Sequence, residues 1–344
     1  IMSSDWSSDV CSSDLHDMVI SAAPGFHVKG TSTYYGKDGK PKGTWVKTAK
    51  DADKVSQLLD ALDVWLEPFE GRADPTPAPE LEWRDELLNV FPMGDPHLGM
   101  RAWREEVGED FDLEIARRDL FAAFERLTAI APPARRAHII NLGDFFHADD
   151  GSNRTKRSGH VLDVDGRWAK VFRAGVDLML RSVELCLETH QEVMVTCAMG
   201  NHDDHSAISL ATALAAFFAR EPRVKIDTSP AKFHYYRHGK VLYGVTHGDT
   251  CKVKDLPGIM AHDRPKDWGE TKHRFFLTGH VHHDSLKDLM GCTVETFRTL
   301  AGRDAWHHAA GYRANRDMKC DVYHREFGRI TRHIVGIEQL AGAK

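Results

Sequence analysis

His138-Ile139-Ile140-Asn141-Leu142-Gly143-Asp144-Phe145-Phe146-His147 is an apolar run that stops at a glycine, an acid and, three residues later, a histidine. Four to eight apolar residues closed by a turn signal suit a buried strand of a parallel sheet. Open α/β sheets bind ligands at the carboxyl ends of such strands, which is where Asp144 falls. Taken alone, an acid just past a strand is ordinary turn or capping chemistry. Its meaning depends on what the other strand ends carry.

Short apolar runs recur at Leu88 to Pro92, Val193 to Ala198, Val241 to Thr246 and Arg274 to Thr278. Between them lie amphipathic stretches at Asp112 to Ile130, Trp168 to Thr189 and Ala207 to Arg220, so the pattern predicts βαβ units. Segments at Phe233 to Tyr236, Thr293 to Phe297 and Ile330 to Ile334 read as antiparallel strands. The expected fold class is α/β, a four-layer α/β/β/α sandwich. Each of the five runs ends in possible metal ligands: Gly94-Asp95-Pro96-His97, Gly143-Asp144 with His147, Gly200-Asn201-His202-Asp203, Thr246-His247-Gly248-Asp249 and Gly279-His280-Val281-His282. Oxygen and imidazole donors, with a carboxylate placed between two cations, are what a close pair of divalent ions requires.

The N-terminal region reads differently. Residues 1–25 begin with a repeated Ser-Ser-Asp pattern that buries no apolar face, and they are expected to be a disordered or non-native leader. Residues 26–69 suggest a small module, a hairpin around Gly36-Lys37-Asp38-Gly39-Lys40-Pro41 followed by a helix from Asp51. Residues 70–86 include Ala73-Asp74-Pro75-Thr76-Pro77-Ala78-Pro79-Glu80, expected to be an extended linker into a main domain over 87–344.

Composition sets outer limits. A net charge of -6 over 344 residues excludes a globally basic nucleic-acid binder, and six cysteines without a C-x-x-C pair suggest neither disulfide framework nor zinc ribbon. The cysteine usage suggests a reduced, cytoplasmic setting, and no run approaches the roughly 18 apolar residues of a membrane span, so a soluble protein without membrane partners is expected. Histidine is the unusual residue, with 21 copies.

With its five motifs in order over Leu88 to Asp284, the chain resembles the calcineurin-like metallophosphoesterases. The resemblance implies that Asp95, His97, Asp144 and His282 hold one divalent ion and that Asp144, Asn201, His247 and His280 hold a second. It implies His202 as general acid and Asp203 as the residue that orients its ring. The metals would be manganese first, with iron or zinc as alternatives, because the ligand types suit all three.

His147, three residues after the bridging acid, makes the chain similar to the SbcD-type DNA repair nucleases, in which a histidine there helps place the nucleic-acid strand. The other reading is a histidine that orients a ligand. Arg154, Lys156 and Arg157 follow in a basic stretch that could contact phosphates at the mouth of the site. Further along, Arg298, Arg303, Arg313, Arg316, Lys319 and Arg325 interleave with Trp306, His307, His308, Tyr312 and Tyr323, a mixture that suits either base stacking or core aromatics flanked by surface charge. The leading expectation is therefore a metal-dependent DNA nuclease, with a phosphomonoesterase or nucleotide hydrolase second and an inactive interaction scaffold third. Too little chain follows His282 for the capping domain and ATPase-binding helices of SbcD-type nucleases, so an ATPase partner is not expected.

Overall fold

The computed structural model describes residues 26–50, 71–156 and 158–341. They form two compact units. The first is a hairpin of β1 (Phe26–Tyr35) and β2 (Pro41–Lys50), paired antiparallel around the expected Gly36 to Pro41 turn. Gly36 closes that turn by donating its amide to the Lys40 carbonyl at 2.8 Å. The leader and the helix expected from Asp51 lie outside the described residues.

In the second unit, β3 (Arg84–Met93), β4 (Ala134–Asn141), β5 (Glu192–Cys197) and β6 (Val224–Asp227) run parallel in one six-stranded sheet. A five-stranded sheet contains β7 (His234–His238), β8 (Val241–Val245), β9 (His273–Thr278), β10 (Ser285–Leu289) and β11 (Cys292–Thr296). The first sheet is completed by β12 (Asp317–His324) and β13 (Gly328–Gly336), in the order β13-β12-β3-β4-β5-β6. The second runs β10-β11-β9-β8-β7.

Period-two alternation explains the layering. In β3 and β4, Phe91 and Ile139 face one core while Val90 and Ile140 face another. The first core is covered by helices α2 (Leu113–Ile130), α3 (Trp168–Leu187) and α4 (Asp204–Phe217), through Leu120, Phe124, Met179 and Leu210. A short α1 (Arg104–Val107) precedes them. The second core lies between the sheets, where Val90, Ile140 and Leu142 meet Tyr243, Val245, Leu277 and Tyr323. On the far side of the second sheet, Leu242, Phe276 and Val294 pack on Leu256 and Met260 of α5 (Leu256–Asp263). The four layers are thus helix, sheet, sheet, helix, as the alternating pattern predicts. Helix α6 (Pro265–Glu270), α7 (Ala305–Ala309) and α8 (Ile337–Ala341) complete the elements.

Three expectations change. The Thr293 to Phe297 strand is parallel to β9 and antiparallel only to β10, because it fills the position between a central strand and an edge hairpin. The Pro-rich stretch is not a free spacer. Glu221 accepts from both the amide (2.6 Å) and the hydroxyl (2.8 Å) of Thr76, and Arg223 donates to the carbonyls of Thr76 and Pro77, each at 3.2 Å. Finally, part of the basic and aromatic mixture is core: Lys319 and Tyr323 belong to β12, at 2% and 0% exposure.

Candidate metal centre

Every sequence-marked ligand lies just beyond the carboxyl end of a parallel strand. Asp95 and His97 follow β3, Asp144 follows β4, Asn201 follows β5, His247 follows β8 and both His280 and His282 follow β9. Five of these seven have left-handed backbones: Asp95 and His97 at φ 46°, Asp144 at 51°, His282 at 56° and His280 at 70°. Such values are uncommon for residues with a Cβ and collect at functional sites, held by the surrounding structure. Glycine permits the close approaches. A Cβ on Gly200 would lie 2.0 Å from Oδ1 of Asp144, and one on Gly279 would lie 2.6 Å from Oδ2 of Asp95.

The side chains converge in two acid–imidazole trios, Asp95 with His97 and His282, and Asp144 with His247 and His280; the donor atoms within each trio lie within 4.8 Å of one another. That spacing suits donors about 2.1 Å from a common divalent ion. Asn201 joins the second trio, its Oδ1 3.2 Å from Nε2 of His247. Both carboxylates are buried, Asp95 at 0% and Asp144 at 2% exposure.

Hydrogen bonds decide what this cluster can accept. Nδ1 of His247 lies 2.9 Å from the Leu142 carbonyl, an acceptor only, so Nδ1 carries the proton. The Nε2 lone pair of the neutral ring then faces acceptor oxygens of Asp144 at 3.1 Å and Asn201 at 3.2 Å. Acceptors that face one another in a buried site need either a proton on that nitrogen or a metal cation among them. The same demand appears in the acid–base balance. Burial alone would lower His247, but the Asp144 carboxylate, by charge and hydrogen bond, and Asp95 carry it up to about 10. Burial likewise opposes ionisation of Asp144, and the charge and hydrogen bond of His247 outweigh it, holding that carboxyl well below its usual range. His97 is held well below its ordinary value by burial and then by His202 and His282. The residues present therefore fit divalent cations.

Asp203 sits otherwise than expected, and His147 takes the ligand-orienting place among its two readings. Asp203 does not touch the His202 ring; its buried carboxylate accepts from the amides of Asp144 (3.1 Å), Phe145 (2.7 Å), Phe146 (3.2 Å) and Gly200 (3.0 Å). It clamps the Asp144 turn. The His202 ring is held instead by the His147 carbonyl, 2.8 Å from Nδ1, while the His202 amide donates to Oδ1 of Asp144 at 2.8 Å. His147 itself is 1% exposed, places Nδ1 3.2 Å from Nδ1 of His97 and lies parallel to His202 with centroids 5.2 Å apart. It therefore packs beneath the cleft and lines none of it.

That cleft has a volume of about 620 Å³. Its floor is His97, Asp144, Asn201, His202, His280 and His282, and its walls come from Thr155, Ser158, His160, Val161 and Leu162 on one side and Asp304, Trp306, His307 and Tyr312 on the other. No lysine or arginine lines it among the described residues. Arg154 donates to the Gly159 carbonyl at 2.9 Å, and Lys156 pairs with Asp150, so both serve their own loop. Arg157 lies outside the described residues. Sequence reasoning missed Asp304, whose Oδ1 accepts from the His307 amide at 2.8 Å and approaches His307 Nδ1 at 2.6 Å. The signal was its position three residues ahead of His307, the spacing of a helix cap.

No family model and no curated protein sequence matches the chain. Among solved structures it is similar to a predicted phosphoesterase from Streptococcus pneumoniae TIGR4 (10% identity, 73% of this chain and 98% of that one, TM-score 0.29). It is also similar to Vps29 complexed with zinc from Entamoeba histolytica (12%, 72% and 99%, TM-score 0.32) and to an archaeal phosphodiesterase (11%, 72% and 99%, TM-score 0.36). The reading of the site rests on its own side chains. No helix among the described residues is long and apolar enough to cross a membrane.

Proposed function

We propose that the chain is a phosphodiesterase that uses two divalent metal ions. The observation that carries this reading is the pair of buried acid–imidazole trios at adjoining strand ends, with the His202 ring on the cleft side of Asp144. Asp95, His97 and His282 would hold one ion, Asn201, His247 and His280 the other, and Asp144 would serve both. Manganese is the first expectation, with iron or zinc as alternatives. Bound there, the ions would supply Lewis-acid charge for the phosphoryl oxygens and acidify the water nucleophile.

The chain's own residues supply the rest. The clamp on the Asp144 turn fixes the central carboxylate, and the bond from His202 Nδ1 to the His147 carbonyl leaves Nε2 for the substrate. In its protonated form His202 donates from Nε2 to the leaving oxygen. The bond between His97 Nδ1 and His147 orients the His97 ring. A diester is favoured over a monoester dianion because the described lining offers no guanidinium or ammonium to the extra charge. DNA enters as one phosphodiester among several: of the residues that pointed toward a nuclease, His147 is buried against His97, and Arg154 and Lys156 are bonded within their own exposed loop.

The test is hydrolysis of bis(p-nitrophenyl) phosphate by manganese-loaded protein. Activity should vanish with a chelator and return with the metal. Asp144→Asn should lose both metal occupancy and turnover, whereas His202→Ala should keep its metal and lose about 10²- to 10⁴-fold in kcat. Equal turnover in wild type and His202→Ala refutes the assignment of the acid.

A further inference from the structure

The cleft wall formed by residues 304–312 has a property that the hydrolytic reading does not use. Trp306 lines the cavity and is 56% exposed. It meets His307 edge-on at 5.0 Å and Tyr312 at 5.8 Å with 37° between planes. His307 in turn stacks on His282, with centroids 4.8 Å apart and planes 22° from parallel. The exposed aromatic is therefore one imidazole away from a ligand of the proposed metal site. Asp304, 8% exposed, fixes the place of His307 in this wall by bonding both its amide and its ring.

Charge points the same way. The arginines on either side of this wall in sequence are engaged: Arg303 lies 3.7 Å from Glu109, and Arg313 donates to the carbonyls of His308 and Tyr312 at 3.2 and 2.8 Å. A long polyanion gains affinity from many phosphate contacts, and the described cleft lining offers no lysine or arginine for them. A flat heterocycle gains affinity from an aromatic face. The volume of about 620 Å³ accommodates a compact ligand of one or two such units.

We infer that Trp306, braced by Tyr312 and His307, is a stacking shelf for a nucleobase, and that the substrate is a short nucleoside phosphodiester rather than a polymer. This rests on the phosphodiesterase reading. The base lies on the indole while the phosphate reaches the floor beside His282. Hydrolysis adds water across one P–O bond, leaving a phosphomonoester on one fragment and an alcohol on the other.

Two esters with the same leaving group test it: thymidine 5′-(p-nitrophenyl) phosphate and methyl p-nitrophenyl phosphate, each with manganese-loaded protein. The nucleoside ester should be preferred in kcat/KM by about 5- to 150-fold, mainly through KM. Trp306→Ala should remove most of that preference and Trp306→Phe should keep most of it. A wild-type preference near unity, or one unmoved in Trp306→Ala, overturns the shelf. Absence of metal-dependent turnover of both esters overturns the phosphodiesterase reading, and the shelf's assignment with it. A dinucleotide should be cleaved as efficiently as an oligonucleotide of about twenty residues, with little dependence on salt; strong preference for the longer strand with a steep salt slope refutes the choice of a short substrate.

Discussion

Asp203→Asn is the substitution that separates the clamp from the alternative that Asp203 orients the His202 ring. The carboxylate accepts from four backbone amides, two on each oxygen. Asparagine keeps the volume but presents one oxygen and one NH₂ group, so two amides must face a donor. A buried donor left without a partner costs about 1–3 kcal/mol, which puts the loss of stability at about 2–6 kcal/mol. The amides of Asp144, Phe145 and Phe146 belong to the turn that holds Asp144 at φ 51°, so loosening them also misplaces the central carboxylate. Metal affinity should fall by about 10- to 100-fold, the usual effect of removing an outer partner of a ligand. Burial and the Asp144 charge push the Asp203 carboxyl up to about 8, so urea unfolding at about pH 9 with chelator present measures the first effect, and manganese titration followed by calorimetry measures the second. If Asp203→Asn unfolds at the wild-type urea midpoint, binds manganese normally and loses only kcat, the clamp is wrong and the ring-orienting role is right.

Two further predictions concern the frame around the site. Burial holds His138 at about 3 and His190 at about 4, so both are neutral when folded, whereas the unfolded chain takes up their protons near pH 6.5. These folded values are depressed, so stability is retained above about pH 6.5 and lost as pH falls toward 4, at about 1.4 kcal/mol per pH unit for each histidine. Urea midpoints from pH 6 to 4.5 should fall less steeply in His138→Gln than in wild type; equal slopes refute the prediction. In the second case, Arg332 meets Asp321 from Nε at 2.5 Å and Nη2 at 2.7 Å, and also reaches Glu295 of the other sheet from Nη2 at 2.9 Å. Arg332→Met leaves two carboxylates buried at 0% and 3% exposure with Arg329 as their remaining partner, and thermal unfolding should show a loss of about 3–5 kcal/mol; an unchanged midpoint refutes the prediction.

The parallel strands and the ligand positions were legible because each is a local signal, an apolar run that stops at glycine beside a polar residue. The clamp made by Asp203 was not, because three of its four partners come from a turn 57 to 59 residues earlier in the chain. The same holds for Lys319: its charge reads as surface, but its ammonium meets Asp284, 35 residues earlier, as well as Asp317 on its own strand, and no local pattern discloses the first. Arg154 and Lys156 are the instructive opposite. Their partners, Gly159 and Asp150, lie within six residues, so the reading of a phosphate-binding stretch could have been weighed against a self-bonded loop.

What the sequence could not disclose at all is the backbone state of the ligands. Asp and His tolerate the left-handed region better than branched residues do, yet each such residue still costs of order 1–3 kcal/mol. Concentrating five of them in one site is sustainable only if the strands on either side hold each turn in place. That arrangement sets donor positions before any cation arrives, because Asp95 already accepts from the His280 amide at 2.9 Å and Asp144 from the His202 amide at 2.8 Å. The bond from the His280 amide to Asp95 joins the carboxyl edges of the two sheets, and the bond from the His202 amide to Asp144 joins neighbouring strands of one. The layering of the fold and the geometry of the candidate metal centre are therefore one structural solution, and a change that relaxes either should be read out in both.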